Sequence, residues 1–241
     1  MNFINTYEDT QRAEAYAKLE FPGTYYLAYR DLPEIIKIHV SGRIALDFGC
    51  GAGRSTRFLE KNGLDPVGVD ISKDMLDQAR ERDPQGKYYL IADGDLSRFQ
   101  NGLYDLILSA FTFDNIPTMS KKVRCLREMS RVLKSDGRIV NLVSSPSIYT
   151  HEWASFTTKA FPENCFAESG DIVKIVMTDV PDQRPVEDVL WSSEAYHEVY
   201  QQAGFDVEKV YQPLGKEGEP YVWVSETSIP PWVIYVLKKA G

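Results

Sequence analysis

Residues 44–54 read IALDFGCGAGR, and this segment is the strongest indication of the fold class in the sequence. It opens with a short apolar run typical of a buried strand, and glycines follow at Gly49, Gly51 and Gly53. Residues 53–62 then have the pattern of a helix. A glycine loop between a first strand and a first helix is typical of doubly wound α/β sheets, where ligands bind at the carboxyl ends of the strands. Glycines let the backbone approach such a ligand closely and adopt positive φ.

Outward from this loop, short apolar runs alternate with amphipathic segments. Further strands are predicted at residues 66–71, 88–92, 106–110 and 139–143. Ser72 is the predicted N-cap of one intervening helix, and Gly137 is the predicted end of another. This alternation predicts βαβ units and a mostly parallel sheet covered on both faces. The near-continuous apolar character of the strands agrees with that prediction.

The alternation breaks after residue 145. The predicted elements there are strands at 172–178 and 187–191 joined by a turn at 182–185, a helix from Ser193 to Ala203, and late strands at 206–214 and 232–238. The late pair is expected to be antiparallel. We predict one domain over residues 1–241, with an N-terminal helical cap at 1–40, a ligand-binding core at 41–145, a small lid or substrate insertion at 146–192, and the end of the sheet at 193–241. The cap is rich in tyrosine, with Tyr7 and Tyr16 in its first half.

Composition and charge narrow the class of protein. The chain has 241 residues, of which 43% are hydrophobic and 26% charged, an ordinary balance for one α/β domain. Its formal net charge of −8 disfavours a nucleic-acid partner, since such a surface repels polyphosphate. The cluster from Lys121-Lys122 to Arg131 and the pair Lys238-Lys239 are interpreted as solvated charges.

The cysteines and the lengths of the apolar runs indicate the cellular compartment in which the protein is expected. The three cysteines are odd in number and lack metal-ligand spacing, which favours free thiols in a reducing compartment. The first residues lack the pattern of a signal peptide, and no apolar run reaches about 20 residues. We therefore expect a cytoplasmic protein, without a membrane partner, that is a monomer or homodimer.

Three details of the glycine loop indicate its ligand. The spacing is G-x-G-x-G, whereas a dinucleotide-binding loop reads G-x-G-x-x-G. Asp47 precedes the first glycine by two residues, where a carboxylate would repel a pyrophosphate but suit a cation. Asp70 ends the second predicted strand, in position to accept both ribose hydroxyls. Together these features predict an adenosine-containing ligand with positive charge and no pyrophosphate.

Residues 46–54 and 68–72 resemble the first two motifs of class I S-adenosylmethionine-dependent methyltransferases of the methyltransferase type 11-like group. Looser similarities follow at 92–96, 104–111, 133–138 and 191–205. The resemblance covers 40–145 closely and 190–240 loosely. It implies a Rossmann-like, doubly wound sheet of seven strands with the last strand antiparallel. It also implies S-adenosyl-L-methionine as the cofactor and S-adenosyl-L-homocysteine as its product.

The resemblance also implies roles for single residues. Asp47, Gly49 and Gly51 would line the methionine and ribose portions of the cofactor, and Asp70 would bind the ribose diol. Ile71 and Met75 would pack on adenine, and Asp93 would hold its amino group, with Asp95 as the alternative. Arg54, or Tyr29 and Arg30 from the cap, would meet the methionine carboxylate. The remaining residues predicted at the cofactor are Cys50, Gly94, Ser109, Ala110 and Phe111.

The acceptor side of the site is predicted from two other segments. In the loop after the fourth strand, Phe111 or Phe113 would shield the cation with an aromatic face, and Asp114 or Asn115 would hold the acceptor. His151 is a candidate general base. The aromatic residues predicted to bind substrate are Phe113, Trp153, Phe156, Trp191 and Trp223. The alternatives are a loop and N-cap at 111–117 and a second small core beneath the insertion.

The sequence thus predicts direct methyl transfer to a nitrogen, oxygen or carbon of a small molecule, with positioning as the main catalytic device. Three alternatives stay open. A nicotinamide dehydrogenase is disfavoured by the glycine spacing and by Asp47. A non-catalytic S-adenosylmethionine-binding or regulatory protein fits the same loop, because methyl transfer requires no single obligatory residue. A methyltransferase of RNA or protein is disfavoured by the acidic charge.

Overall fold

The computed structural model describes residues 21–241, so residues 1–20 of the predicted cap, including Tyr7 and Tyr16, lie outside the described residues. The described part of the cap forms two short helices, α1 (Thr24–Arg30) and α2 (Leu32–His39). Pro33 lies in the first turn of α2, where a missing backbone N–H costs no hydrogen bond.

The remaining elements follow in chain order. They are β1 (Ile44–Phe48), α3 (Arg54–Lys61), β2 (Asp65–Asp70), α4 (Lys73–Arg82), β3 (Tyr88–Leu90), β4 (Tyr104–Ala110), α5 (Met119–Val132), β5 (Leu133–Ser144), β6 (Phe156–Thr157), β7 (Ile172–Met177), β8 (Val186–Val189), α6 (Ser193–Gln202), β9 (Phe205–Tyr211) and β10 (Trp232–Lys239). Short 3₁₀ turns lie at Thr112–Asn115, Pro146–Tyr149 and Pro162–Phe166. No helix within residues 21–241 has the length and apolar character needed to cross a membrane.

Within the described residues, seven strands form one sheet in the order β3-β2-β1-β4-β5-β10-β9. Strands β1 to β5 pair in parallel, with Leu46 in register with Val67 on one side and Ile107 on the other. β10 runs antiparallel to both of its neighbours, β5 and β9. The predicted seven-stranded, mostly parallel sheet with an antiparallel last strand is confirmed.

Two predicted helix boundaries are wrong. α5 ends at Val132 and the chain enters β5 directly, because Leu133 is fully buried and pairs with Tyr104 of β4. Gly137 therefore lies within β5, where an added Cβ would come within 2.8 Å of the Leu133 side chain. The N-cap of α6 is Ser192 rather than Ser193, since the Ser192 hydroxyl accepts a hydrogen bond from the backbone N–H of Ala195 at 3.2 Å. The predicted N-cap at Ser72 is confirmed by the same kind of bond to Met75.

The insertion after β5 contains a small antiparallel sheet in the order β6-β7-β8. Its central strand alternates, so that Val173, Ile175 and Met177 face inward. These three side chains join the hydrophobic cluster that contains Tyr25 of α1 and Trp232 of β10. The insertion is thus packed onto the same end of the main sheet as the N-terminal helices.

Glu226 ties these parts together. It is fully buried in the loop before β10. Its Oε1 accepts hydrogen bonds from the Thr24 hydroxyl at 2.6 Å and the Ala154 N–H at 2.7 Å. Its Oε2 accepts from the N–H groups of Val224 and Ser225 at 2.8 and 3.1 Å. One carboxylate therefore joins α1, the insertion and the loop at residues 212–231 between β9 and β10, which we call the C-terminal loop.

Candidate functional site

A cavity of about 200 Å³ lies at the carboxyl ends of the parallel strands. Its walls come from the loop after β1, the end of β2, the loop after β3, the turn after β4 and helix α1. Of the predicted cofactor residues, the cavity brings together Tyr29, Gly49, Cys50, Gly51, Arg54, Asp70, Ile71, Met75, Asp93, Gly94, Ala110 and Phe111. We call it the first cavity. The doubly wound topology places it where such folds bind their ligands.

The three glycines of the loop have different structural roles. Gly49, Gly51 and Gly53 all adopt positive φ, at 74°, 52° and 78°. A Cβ on Gly49 would collide with the Thr112 side chain, and one on Gly53 with the Tyr88 ring. A Cβ on Gly51 would meet only the tip of Met75 at 3.0 Å, and both residues line the cavity. Gly49 and Gly53 thus serve packing, whereas Gly51 keeps space open for a ligand.

Asp47 lies beneath this loop, fully buried, and is not among the residues that line the first cavity. Its Oδ2 accepts hydrogen bonds from the hydroxyls of Ser55 and Thr56 at 2.7 and 2.6 Å, at the start of α3. Its Oδ1 is a buried acceptor with no hydrogen-bond donor among the described residues. Burial raises the pKa of Asp47 to about 6. This oxygen is therefore a poorly satisfied acceptor directly behind the loop.

Asp70 lies at the end of β2 and lines the first cavity. Its Oδ2 accepts a hydrogen bond from the backbone N–H of Gly51 and its Oδ1 from that of Ser72, each at 2.8 Å. Burial raises its pKa, although these N–H groups act in the opposite direction. Each carboxylate oxygen keeps a second lone pair, so the two backbone bonds fix the carboxylate while leaving it able to accept from a ligand.

Asp93 and Asp95 are distinguished by the structure. Asp93 lines the first cavity and has a positive φ of 26°. Its carboxylate forms an ion pair with Arg124 of α5. Asp95 does not line the cavity, and its carboxylate instead accepts from the Ser97 N–H at 2.7 Å as a turn residue. Of the two alternatives, only Asp93 lines the first cavity.

Arg54 and Arg30 also have different positions. The Arg54 guanidinium lies over the rings of Tyr25, Tyr29 and Phe21, at 4.9 to 5.8 Å from their centroids, and lines the first cavity. Arg30 does not reach the cavity. Its guanidinium is held at the surface of the cap by Asp31 and Glu219, at 2.7 and 2.6 Å. The prediction that Arg30 meets the cofactor is thus not supported by its placement, because both partners hold the side chain elsewhere.

A second, smaller cavity of about 40 Å³ adjoins the first. The two share Tyr25, Phe111 and Asn115 as walls. The other residues around it come from the turn after β4, from β5, from the insertion and from β10, and are Asp114, Ser144, Ile148, Tyr149, Phe156, Ile175, Met177, Val186, Asp188 and Trp232. The predicted residues Asp114, Asn115 and Phe156 therefore meet here, at the junction of the main sheet and the insertion.

Three ionisable side chains lie at or behind the second cavity, of which Asp114 and Lys122 are buried and Asp188 is half-buried. Burial raises the pKa of Asp114 to about 6 and that of Asp188 to about 8. Lys122 of α5 is fully buried, donates to the backbone carbonyl of Phe113, and has its pKa lowered by burial to about 7. The interpretation of Lys122 as a solvated charge is wrong, because its side chain packs among the rings of Phe113, Trp191 and Tyr196.

Several residues predicted at the acceptor or cofactor line neither cavity. His151 is held by the Ser147 carbonyl and the Thr150 hydroxyl, at 3.1 and 3.0 Å from Nδ1. Trp153 is buried with its indole N–H on the Ile148 carbonyl. Trp223 stacks on Tyr26 and packs at a tilt against Tyr221, and it lines neither cavity. Phe113, Ser109 and Trp191 are also buried outside both. The packing of the insertion, which periodicity does not reveal, determines these positions.

Other site residues were missed from sequence. In the first cavity these include Tyr25, Thr112 and Cys125, and in the second Tyr149, Asp188 and Trp232. Cys125 follows from helical spacing, since it lies on the buried face of α5 and its Sγ would meet a Cβ on Gly94 at 2.6 Å. All three cysteines are free thiols, as expected.

Comparison with known proteins adds to this geometry. Residues 46–141 match the family model described as a methyltransferase domain. A demethylmenaquinone methyltransferase of Tropheryma whipplei is 36% identical over 102 residues, which are 42% of this chain and 41% of that protein. A ubiquinone biosynthesis O-methyltransferase of Methylococcus capsulatus is 30% identical over 104 residues, 41% of this chain and 44% of that protein. The chain thus spans less than half the length of these curated relatives.

Among solved structures, a putative S-adenosylmethionine-dependent methyltransferase of Listeria monocytogenes aligns with a TM-score of 0.63 at 19% identity. The alignment covers 89% of this chain and 98% of that one. This likeness concerns the fold. It extends well beyond residues 46–141, so the two chains share an architecture over most of their lengths.

Proposed function

We propose that this chain, a member of the class I S-adenosylmethionine-dependent methyltransferases through its domain at residues 46–141, transfers the cofactor's methyl group to a small-molecule nucleophile. The observation that carries the proposal is the pair of adjoining cavities. The first has the acids and glycines suited to the cofactor. The second shares Tyr25, Phe111 and Asn115 with it and has space for an acceptor group.

The residues of the first cavity fit S-adenosylmethionine. Asp70 would hold the ribose hydroxyls, because its carboxylate is fixed by two backbone N–H groups and faces the cavity. Asp47 would attract the positively charged methionine portion through its charge, from behind the glycine loop, since its side chain is buried and does not line the cavity. Gly51 leaves room for the ligand, and Met75 and Ile71 offer apolar surface to adenine.

Further contacts are proposed at the two ends of the ligand. Asp93, with Arg124 behind it, would accept from the adenine amino group. Arg54 would meet the methionine carboxylate, from its position among the aromatic rings of the cap. Gly49, Cys50, Gly94, Ala110 and Phe111 complete the proposed cofactor site.

When bound, the cofactor supplies a methyl group on a positively charged sulfur, which is a very good leaving group. The protein's contribution is therefore positioning, since correct orientation alone removes about 7–11 kcal/mol from a bimolecular barrier. Phe111 is suited to that task. It is held in the left-handed region at φ 63°, and its ring packs against Tyr25 and Trp232 at the boundary between the cavities. It would present an aromatic face to the cation.

Calorimetry with S-adenosylhomocysteine and NAD⁺ tests the cofactor. We expect binding of S-adenosylhomocysteine only. Asp70→Asn should weaken it at least tenfold, whereas Asp65→Asn, at the exposed start of the same strand, should leave it unchanged. Binding of NAD⁺ in place of S-adenosylhomocysteine would overturn the proposal.

Catalysis is tested by incubating the protein with methyl-labelled S-adenosylmethionine and metabolite extracts. We expect label in a small molecule. Cofactor binding without transfer of label in any extract would instead favour a non-catalytic binding protein.

A further inference from the structure

The second cavity has aromatic walls on several sides. Trp232 is stacked on Tyr25 with ring centroids 5.6 Å apart, and it meets Phe111 and Phe156 edge-on at 4.8 and 5.8 Å. Tyr149 adds a further ring. Aromatic faces carry negative potential, and enclosures of this kind favour compact organic cations.

The polar groups at the cavity are acceptors. Asp188 has one oxygen, Oδ2, that accepts from the Tyr149 hydroxyl at 3.0 Å, and its Oδ1 accepts from none of the described residues. Asn115 donates its amide to the Phe111 carbonyl, which leaves its buried Oδ1 with no donor among residues 21–241. A ligand that brings N–H donors would satisfy both oxygens.

Asp114 is more fully occupied. Its Oδ2 accepts from the Ser144 N–H at 3.0 Å and its Oδ1 from the Tyr196 hydroxyl at 3.3 Å. It contributes charge and one wall of the cavity rather than a vacant oxygen.

The second cavity has acidic groups and no basic group in its walls. Two carboxyl groups, Asp114 and Asp188, line it, and within residues 21–241 no lysine or arginine does. Lys122 lies behind them, near enough to favour ionisation of both. Without a ligand, the raised pKa of Asp188 keeps this carboxyl largely protonated at neutral pH. A cationic ligand would pair with Asp188 and favour its ionised form.

We propose that the second cavity is the acceptor site and takes the head group of a primary or secondary amine, with Asp188 as its charge partner. This inference rests on the proposed function, because it assigns the acceptor of the same methyl transfer. The volume of about 40 Å³ admits only a few water-sized groups. The reacting head of the amine, and not the whole molecule, would occupy it.

The reaction balances with groups already named. The amine arrives as an ammonium ion, and Asp188 ionises beside it by releasing its own proton to solvent. The ammonium ion then transfers one proton to the Asp188 carboxylate. Its freed nitrogen lone pair then forms a bond to the methyl carbon of S-adenosylmethionine. The carbon–sulfur bond breaks, its electron pair stays on sulfur, and neutral S-adenosylhomocysteine leaves. Because burial raises the pKa of Asp188 to about 8, this carboxylate is a stronger base toward an ammonium ion than an exposed one.

Binding in the presence of S-adenosylhomocysteine, which has no methyl group to transfer, tests the site without turnover. Methylammonium is the probe because it carries both the charge and the N–H donors, and methanol is its neutral counterpart. Both are titrated in saturating S-adenosylhomocysteine, and the readout is the indole N–H resonance of Trp232, assigned with Trp232→Phe. We expect methylammonium to shift this resonance and methanol to leave it in place. Equal responses to the two probes would overturn the proposal.

Variants of β8 make the test specific. Asp188→Asn keeps an acceptor for the Tyr149 hydroxyl and removes the charge, and it should weaken methylammonium binding at least tenfold. Glu187→Gln is the matched control, since Glu187 is the adjacent carboxylate and pairs with Lys174 at 3.4 Å. It should bind like the parent protein. Unchanged binding by Asp188→Asn, in a variant with a normal circular dichroism spectrum, would refute the role of Asp188.

The acceptor atom is identified separately. With ¹³C-methyl S-adenosylmethionine and metabolite extracts, the carbon shift of the labelled product distinguishes N-methyl, O-methyl and C-methyl groups. We expect N-methyl. An O-methyl or C-methyl product would overturn the amine assignment while leaving the proposed methyl transfer intact. Loss of S-adenosylhomocysteine binding in the parent protein would instead count against the proposed function.

Discussion

Replacing Glu226 by glutamine should destabilise the fold far more than its small chemical change suggests. The carboxylate accepts four hydrogen bonds, two on each oxygen, in a fully buried position. Glutamine offers one carbonyl oxygen and one NH₂ group that can only donate. Whichever way the amide turns, two of the four donors then face another donor.

The magnitude follows from the cost of unsatisfied buried donors. Each costs about 1–3 kcal/mol, so two of them should lower the free energy of unfolding by about 2–6 kcal/mol. For a domain of this size that loss corresponds to a melting temperature lower by about 4–24 °C. Urea denaturation followed by circular dichroism measures it.

The matched control is Glu217→Gln, in the exposed part of the same C-terminal loop. It should change the free energy of unfolding by less than about 0.5 kcal/mol. Equal denaturation midpoints for the two variants would refute the role of Glu226 in joining α1, the insertion and the C-terminal loop. Addition of S-adenosylhomocysteine should leave the difference in unfolding free energy between the two variants unchanged, because ligand binding stabilises both variants by mass action.

Two further predictions concern the glycine loop. Gly51→Ala should weaken S-adenosylhomocysteine binding at least tenfold by calorimetry, because its Cβ would point at Met75. Gly63→Ala carries similar backbone strain at φ 83° with no atom within 4 Å, so it should lose stability without losing affinity. For Asp47, burial raises the pKa from 3.8 to about 6, so its contribution to stability is lost as pH rises through 6. Asp47→Asn should therefore make the ligand-free protein more stable than its parent by about 1–3 kcal/mol at pH 8 but not at pH 4, as urea midpoints would reveal. Parallel pH profiles for the two proteins would contradict this.

The main sheet could be predicted from sequence because its signal is local. Parallel strands buried on both faces produce short apolar runs, and the intervening helices carry their own caps, such as Ser72. The boundary at Gly137 could not be predicted in the same way. There the chain passes from α5 to β5 without a loop, since burial of Leu133 against β4 outweighs the tendency of glycine to end a helix.

The residues of the proposed cofactor site that line the first cavity could also be predicted from sequence. Asp70 and Gly51 lie at fixed positions in one strand–loop–helix unit, so chain spacing nearly determines their geometry. His151 shows the limit of this reasoning. It follows β5 at the correct edge of the sheet, yet the 3₁₀ turn at Pro146–Tyr149 supplies the Ser147 carbonyl that binds its ring away from both cavities.

The proposed acceptor site depends on contacts between distant segments, and the sequence indicates only part of it. Lys122 lies four residues before Leu126 and seven before Met129, so helical periodicity places it on the buried stripe of α5. Since a lysine is almost never fully buried without compensation, that position alone predicts nearby acceptors or negative charge. Asp188 lies on the same face of β8 as Val186. The sequence of β8 does not indicate which face is inward, nor that Asp114 also lines the cavity. The predicted burial of Lys122 therefore indicates acidic groups nearby, and the structure places Asp114 and Asp188 there.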